Sequence, residues 1–167
     1  AGLVPDAGAL RAALARAPAA SASAAAADPF YVSPATLLIV PPSIEAHWAE
    51  QVALHVAAGA LRVAVLSDVK TAAGAPPPSS RRRLTAADLA WNHDLVITTF
   101  PRLSAEWGRR RDPRAAPLLR VHWHRVVVDE GHLLSIAGAG LTAKMQMVCA
   151  LRAGRRWVVT GTPAPGA

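Results

Sequence analysis

Apolar residues in this chain gather into short runs with little polar relief, separated by stretches of helical period. TLLIV at residues 36–40, then residues 61–66, DLVITT at 94–99, 123–129 and RRWVVTGTP at 155–163 are five such runs. Their β-branched content and lack of a polar alternate face predict strands covered on both sides, as in a parallel sheet. The three consecutive valines Val126, Val127 and Val128 are the plainest case. Between the runs the period changes. Ile44, Trp48, Val52 and Val56 recur every four residues and predict a helix with one apolar stripe, leaving Glu45 and Glu50 off it. Ser43 stands where that helix needs an N-cap. Short helices are expected over 84–91, capped by Thr85, and over 103–107. A longer one is expected over 141–151, with Leu141, Met145, Val148 and Cys149 facing inward. Strands alternating with helix-length patterns give an α/β fold, a parallel sheet covered by helices.

The segments outside this pattern have a different composition. Residues 1–34 are Ala-rich with an Ala/Ser tract and read as a linker or insertion without a core of its own, so ordered structure is expected from about Ala35. APPPSSRRR and GRRRDPRAAP read as exposed basic loops. The formal net charge is +7, carried almost wholly by arginine because Lys70 and Lys144 are the two lysines; a polyanionic partner suits that balance. The single cysteine, Cys149, excludes an internal disulfide and a Cys-rich zinc site. No run of about 18 uncharged apolar residues is present, so no membrane partner is expected.

Polar residues cluster directly after the predicted strands: PPS after the first, TT at the end of the third, DEGH after the fourth and TGTP after the fifth. In a parallel sheet these ends share one edge, the edge at which α/β folds meet their ligands. An aspartate placed there can hold magnesium together with phosphate oxygens, and a neighbouring glutamate can activate a water. Backbone amides and hydroxyls at Ser43, Thr98 and Thr99 suit phosphate contacts that position a nucleic acid without reading its sequence. Taken alone, the acidic pair reads equally well as a surface turn following a core strand. His122 and His124 share a strand face, but no third ligand completes a metal site.

DEGH at 129–132 followed by TGTP at 160–163 resembles the acidic box and third motif of superfamily-two helicase-like ATPases, and more narrowly the SWI/SNF-type (sucrose-non-fermenting) DNA translocases. The Thr-Gly-Thr-Pro form separates that family from RNA helicases. LLIVPPSIEAHWAEQV resembles its motif Ia, DLVITTFPRLSAEW the motif after it, and WHRVVVDEGH carries the tryptophan placed ahead of the acidic box. RLSAEWG, LTAKMQM and RRWVVTGTP look most like the plant and green-algal branch whose members carry an F-box. The APG after TGTP departs from the family's usual ending.

The resemblance implies most of a first RecA-like (P-loop NTPase) lobe over 35–167. It implies ATP and magnesium as cofactors, with Asp129 on the magnesium and Glu130 activating water. It implies that His132, Thr160, Gly161 and Thr162 couple nucleotide state to DNA contact, and that Pro41, Ser43, Thr98 and Thr99 lie along the DNA backbone. Duplex DNA and chromatin proteins in the nucleus are the implied partners, with ubiquitin-ligase components reached through domains beyond these residues. One part is missing: neither Lys70 nor Lys144 sits in a Gly-x-x-x-x-Gly-Lys-Ser/Thr phosphate loop. These residues alone are therefore expected to be inactive as an ATPase. The alternative is a degenerate lobe that serves as a DNA- or protein-binding scaffold, for which two adjacent acids at a strand end have no chemical need.

Overall fold

The computed structural model describes residues 30–66, 84–112, 114–134 and 142–161. The linker expectation for the opening tract, the basic triplet at 81–83 and the Leu141, Thr162 and Pro163 expectations lie outside them. Strands β1 (Tyr31–Val32), β2 (Thr36–Val40), β3 (Val63–Leu66), β4 (Leu95–Thr99), β5 (Val121–Val128) and β6 (Arg152–Val158) form one sheet, and each of its strand pairs is parallel. β5 lies between β2 and β6, with β4 and then β3 beyond β2. Helices α1 (Glu45–His55), α2 (Ala86–Trp91), α3 (Phe100–Gly108) and α4 (Ala143–Ala150) connect them. This is the α/β architecture expected from the alternating pattern.

β1 was not expected. Because β6 pairs with β5 at His122, β1, which pairs with the same residue, runs along the opposite edge in line with β2. Pro34 lies in the break between β1 and β2, both of which pair with β5. The Ser33 hydroxyl fills the gap, accepting from Ala35 N at 3.0 Å and donating to Ala90 O at 2.7 Å. Tyr31 then stacks edge-on against Trp91 at 5.4 Å, and the Trp91 indole donates to Val32 O at 3.2 Å. A proline withholds one backbone donor, and a side chain can cover that loss. Order therefore begins upstream of Ala35.

The sheet buries both faces under helices, as parallel sheets do. On one face Leu37, Ile39, Val96, Val126 and Val128 pack with Leu89 of α2, Leu103 of α3 and Val148 of α4. On the other, Leu38, Val40 and Ile97 are covered by Ile44 and by Trp48 of α1. Complete burial of a Leu or Ile side chain stabilises by about 1.5–3 kcal/mol, so the side-by-side strands β2, β4 and β5 form the rigid centre from which the site projects. β6 pairs only with β5, and its edge carries Arg152, Arg155 and Arg156, charges that discourage edge-to-edge association.

Several local expectations change. Strands β3 and β4 begin later than read, because Arg62 and Asp94 clamp each other: Asp94 Oδ2 accepts from Arg62 N at 2.9 Å and from its Nε at 3.1 Å. Ser43 does not cap α1. Pro42–Ile44 forms a 3-10 turn, α1 starts after Ile44 with no side-chain cap, and Ser43 is exposed. Glu45 is buried rather than off the stripe. At 3.6 residues per turn it stands three before Trp48 and shares that face. Cys149 is exposed, and Met147 takes the inward position beside Val148, four and three residues before buried Leu151. Thr85 caps α2 as expected, in a reciprocal box with Asp88.

Candidate active site

Register fixes where the polar strand ends meet. Val40 pairs with Thr99, Ile39 with Val128, and Val128 with Val158. The PPS turn, the start of α3, the acidic turn and the segment 159–161 therefore leave the sheet along one edge. Backbone bonds hold the acidic turn from both neighbours: Asp129 N donates to Ile39 O of β2 at 2.9 Å, and Gly131 N to Val159 O beyond β6 at 2.8 Å. Gly131 is the residue that permits the second contact, since a Cβ there would overlap Val158 Cγ1.

Held in this way, the two acids point to different surroundings. Glu130 adopts φ 52°, the one positive φ among the described non-glycine residues. That left-handed conformation costs free energy and persists where neighbours impose it, often at functional sites. The Glu130 side chain is part-exposed, with Oε2 3.0 Å from His132 Nδ1. Asp129 is engaged at both oxygens: Oδ1 accepts from Glu130 N at 2.8 Å and Oδ2 from the indole Nε1 of Trp48 at 2.7 Å. One carboxylate is thus locked against α1, while the next is turned outward beside an imidazole.

Among the described residues, no group of three or more His, Cys, Asp or Glu could hold a metal ion. That donor set does not suit a protein-only cage. It does suit magnesium, a hard ion that takes one or two carboxylates and completes its octahedron with water and phosphate oxygens. Each carboxylate oxygen of Asp129 retains a lone pair beyond the bond it already accepts.

Of the residues expected along DNA, Ser43 is exposed and Pro41 half-buried, whereas Thr98 and Thr99 are buried at 0% and 3% exposure. The Thr99 hydroxyl caps α3 by accepting from Arg102 N. Thr160 and Gly161 follow β6 directly, next to the acidic turn, and Thr162 lies beyond the described residues. Two residues escaped the sequence reading. Trp48 registered as part of an apolar stripe and as the trailing tryptophan of the motif Ia resemblance, not as a partner of Asp129. Glu106 carried no signal at all, although it is 2% exposed and accepts from Leu118 N at 2.8 Å and from Arg102 Nε at 3.2 Å.

The model of the SNF2-related domain matches residues 9–166. The chain belongs to the SNF2-related family. It is 44% identical over 135 residues to an F-box protein of Arabidopsis thaliana, covering 81% of this chain and 9% of that protein. It is 34% identical over 131 residues to the helicase-like transcription factor of Mus musculus, covering 77% of this chain and 11% of that protein. To the DNA repair protein RAD5A of Arabidopsis thaliana it is 28% identical over 127 residues, 76% of this chain and 11% of that protein. This SNF2-related chain spans about a tenth of the length of these curated relatives. No helix among its described residues is long and apolar enough to cross a membrane.

Proposed function

We propose that this SNF2-related chain is the nucleotide-facing part of a first RecA-like lobe in a nuclear, DNA-dependent ATPase that couples ATP hydrolysis to movement along duplex DNA in chromatin. The observation that carries the reading is the divided acidic turn, with Asp129 fixed at both oxygens and Glu130 turned outward beside His132. A surface turn with no chemistry has no use for a left-handed glutamate beside an aspartate held in place at both oxygens.

Asp129 would hold magnesium through its remaining lone pairs, and that ion, bound with ATP, supplies charge neutralisation at the phosphates. Glu130 accepts the proton of the attacking water at the oxygen that His132 leaves free. His132 orients that carboxylate, and Thr160 and Gly161 on the adjoining strand end, with Thr162 next in the sequence, relay the nucleotide state. Pro41 and Ser43 meet the DNA backbone, while Thr99 supports that surface from beneath by capping α3 and Thr98 stays buried at the end of β4. Chromatin proteins are the partners this reading implies. The similarity to an F-box protein supports a link to ubiquitin-ligase components through other parts of the protein.

The test is phosphate release by the full-length protein with ATP, magnesium and duplex DNA. Stimulation by DNA that Glu130→Gln abolishes, with nucleotide binding retained, supports the motor. DNA binding with no hydrolysis in either protein establishes the scaffold instead.

A further inference from the structure

Trp48 lies on α1 and Asp129 at the end of β5, 81 residues apart, yet the indole N–H reaches Asp129 Oδ2 at 2.7 Å. The Trp48 ring packs over the cluster of Leu38, Val40 and Ile97, so the same side chain is anchored in the core and hydrogen-bonded to the acidic turn. We infer that Trp48 is a positioning residue for the metal-binding carboxylate of Asp129. The inference rests on the proposed role of Asp129 as the magnesium ligand.

A carboxylate offers about four acceptor sites, two on each oxygen. Glu130 N takes one on Oδ1 and Trp48 Nε1 one on Oδ2. Rotation of the carboxylate would break both bonds at once, and bonds to an ionised acceptor are the strong kind. The two sites left over are therefore held in one direction. Magnesium demands near-ideal octahedral geometry, so a fixed carboxylate favours it over a carboxylate that must first be ordered. Trp48 is only partly buried, so water could satisfy its indole N–H without any carboxylate. Asp129, by contrast, has no other side-chain donor on Oδ2 among the described bonds. The dependence therefore runs from Asp129 to Trp48.

The experiment measures Mn2+ binding to the full-length protein with ADP by electron paramagnetic resonance, alongside the magnesium dependence of DNA-stimulated ATPase. Trp48→Phe keeps an aromatic ring and removes the donor; the expected result is Mn2+ binding weaker by about 10–100-fold, with hydrolysis largely recovered at saturating magnesium. Trp48→Gln returns an N–H of similar reach and recovers most of the affinity. An unchanged Mn2+ affinity in Trp48→Phe, while Asp129→Asn abolishes binding, overturns the role of Trp48 and leaves that of Asp129 standing. Equal weakening by Phe and Gln also overturns it, because packing would then be the cause. Unchanged binding in Asp129→Asn removes the site reading itself, and this inference with it.

Discussion

Glu130 Oε2 and His132 Nδ1 lie 3.0 Å apart across a glycine, with Glu130 in the left-handed backbone region. Glu130 Oε2 faces His132 while Asp129 Oδ2 faces Trp48; in the proposed function Glu130 serves the water and Asp129 the ion. Glu130→Gln keeps the shape and an acceptor but cannot take a proton. Hydrolysis by the full-length protein should fall about 10²–10⁴-fold, the usual share of a general base. ATP and DNA binding should stay within a few-fold, measured by fluorescence titration. An equal loss of nucleotide binding would place Glu130 in binding rather than in proton transfer.

Gly131 is required by a neighbour and not by its own backbone angle. A methyl group there meets Val158 Cγ1, and the Val159 carbonyl stands 3.4 Å away. Gly131→Ala should destabilise by about 1–3 kcal/mol, the range for overpacking. Val158→Ala removes the obstructing group, so the double variant should regain most of that loss in a thermal melt. A strictly additive pair would show that the two residues do not touch.

Glu106 anchors the 3-10 turn Pro117–Arg120 that feeds β5, joining Leu118 N to Arg102 across α3. Glu106→Ala strands the Leu118 amide in the interior and should cost about 1–3 kcal/mol, the price of a buried unsatisfied donor. Glu106→Gln keeps an acceptor for that amide and should cost less. Chemical denaturation of the two variants compares them directly; equal losses would mean that the ionic contact with Arg102 dominates.

What the sequence disclosed was whatever periodicity and local chemistry can encode. Val126, Val127 and Val128 have no polar face, so a two-sided burial follows from composition alone, and Thr85 with Asp88 spells out its own cap. Placing the strand ends on one edge required only that the sheet be parallel. Contacts between distant segments were not legible. The Trp48–Asp129 bond depends on α1 crossing over the end of β5, a crossing that no spacing in either segment encodes. Glu106 looked like any exposed helix acid, because its burial comes from a turn twelve residues downstream. Ser43 misled for the opposite reason: its local signal for a cap was sound, but Pro42 diverted the chain into a 3-10 turn first.

That diversion gives the DNA expectation its sharpest test. A capping serine would lose about 1 kcal/mol of stability on replacement by alanine. Ser43 is exposed and caps nothing, so Ser43→Ala should change stability by no more than about 0.5 kcal/mol, as at ordinary surface positions. Any effect of the substitution must then come from what Ser43 touches outside the lobe. If that is a DNA phosphate, Ser43→Ala weakens duplex binding uniformly across sequences, because backbone contacts position without reading bases. Ser43→Glu, which adds a negative charge facing the phosphates, weakens it further, and low salt makes that difference larger because charges are then less screened. Binding isotherms at two salt concentrations, with melting curves as the control, decide it. Unchanged DNA affinity in Ser43→Glu would remove the β2–α1 turn from the DNA path.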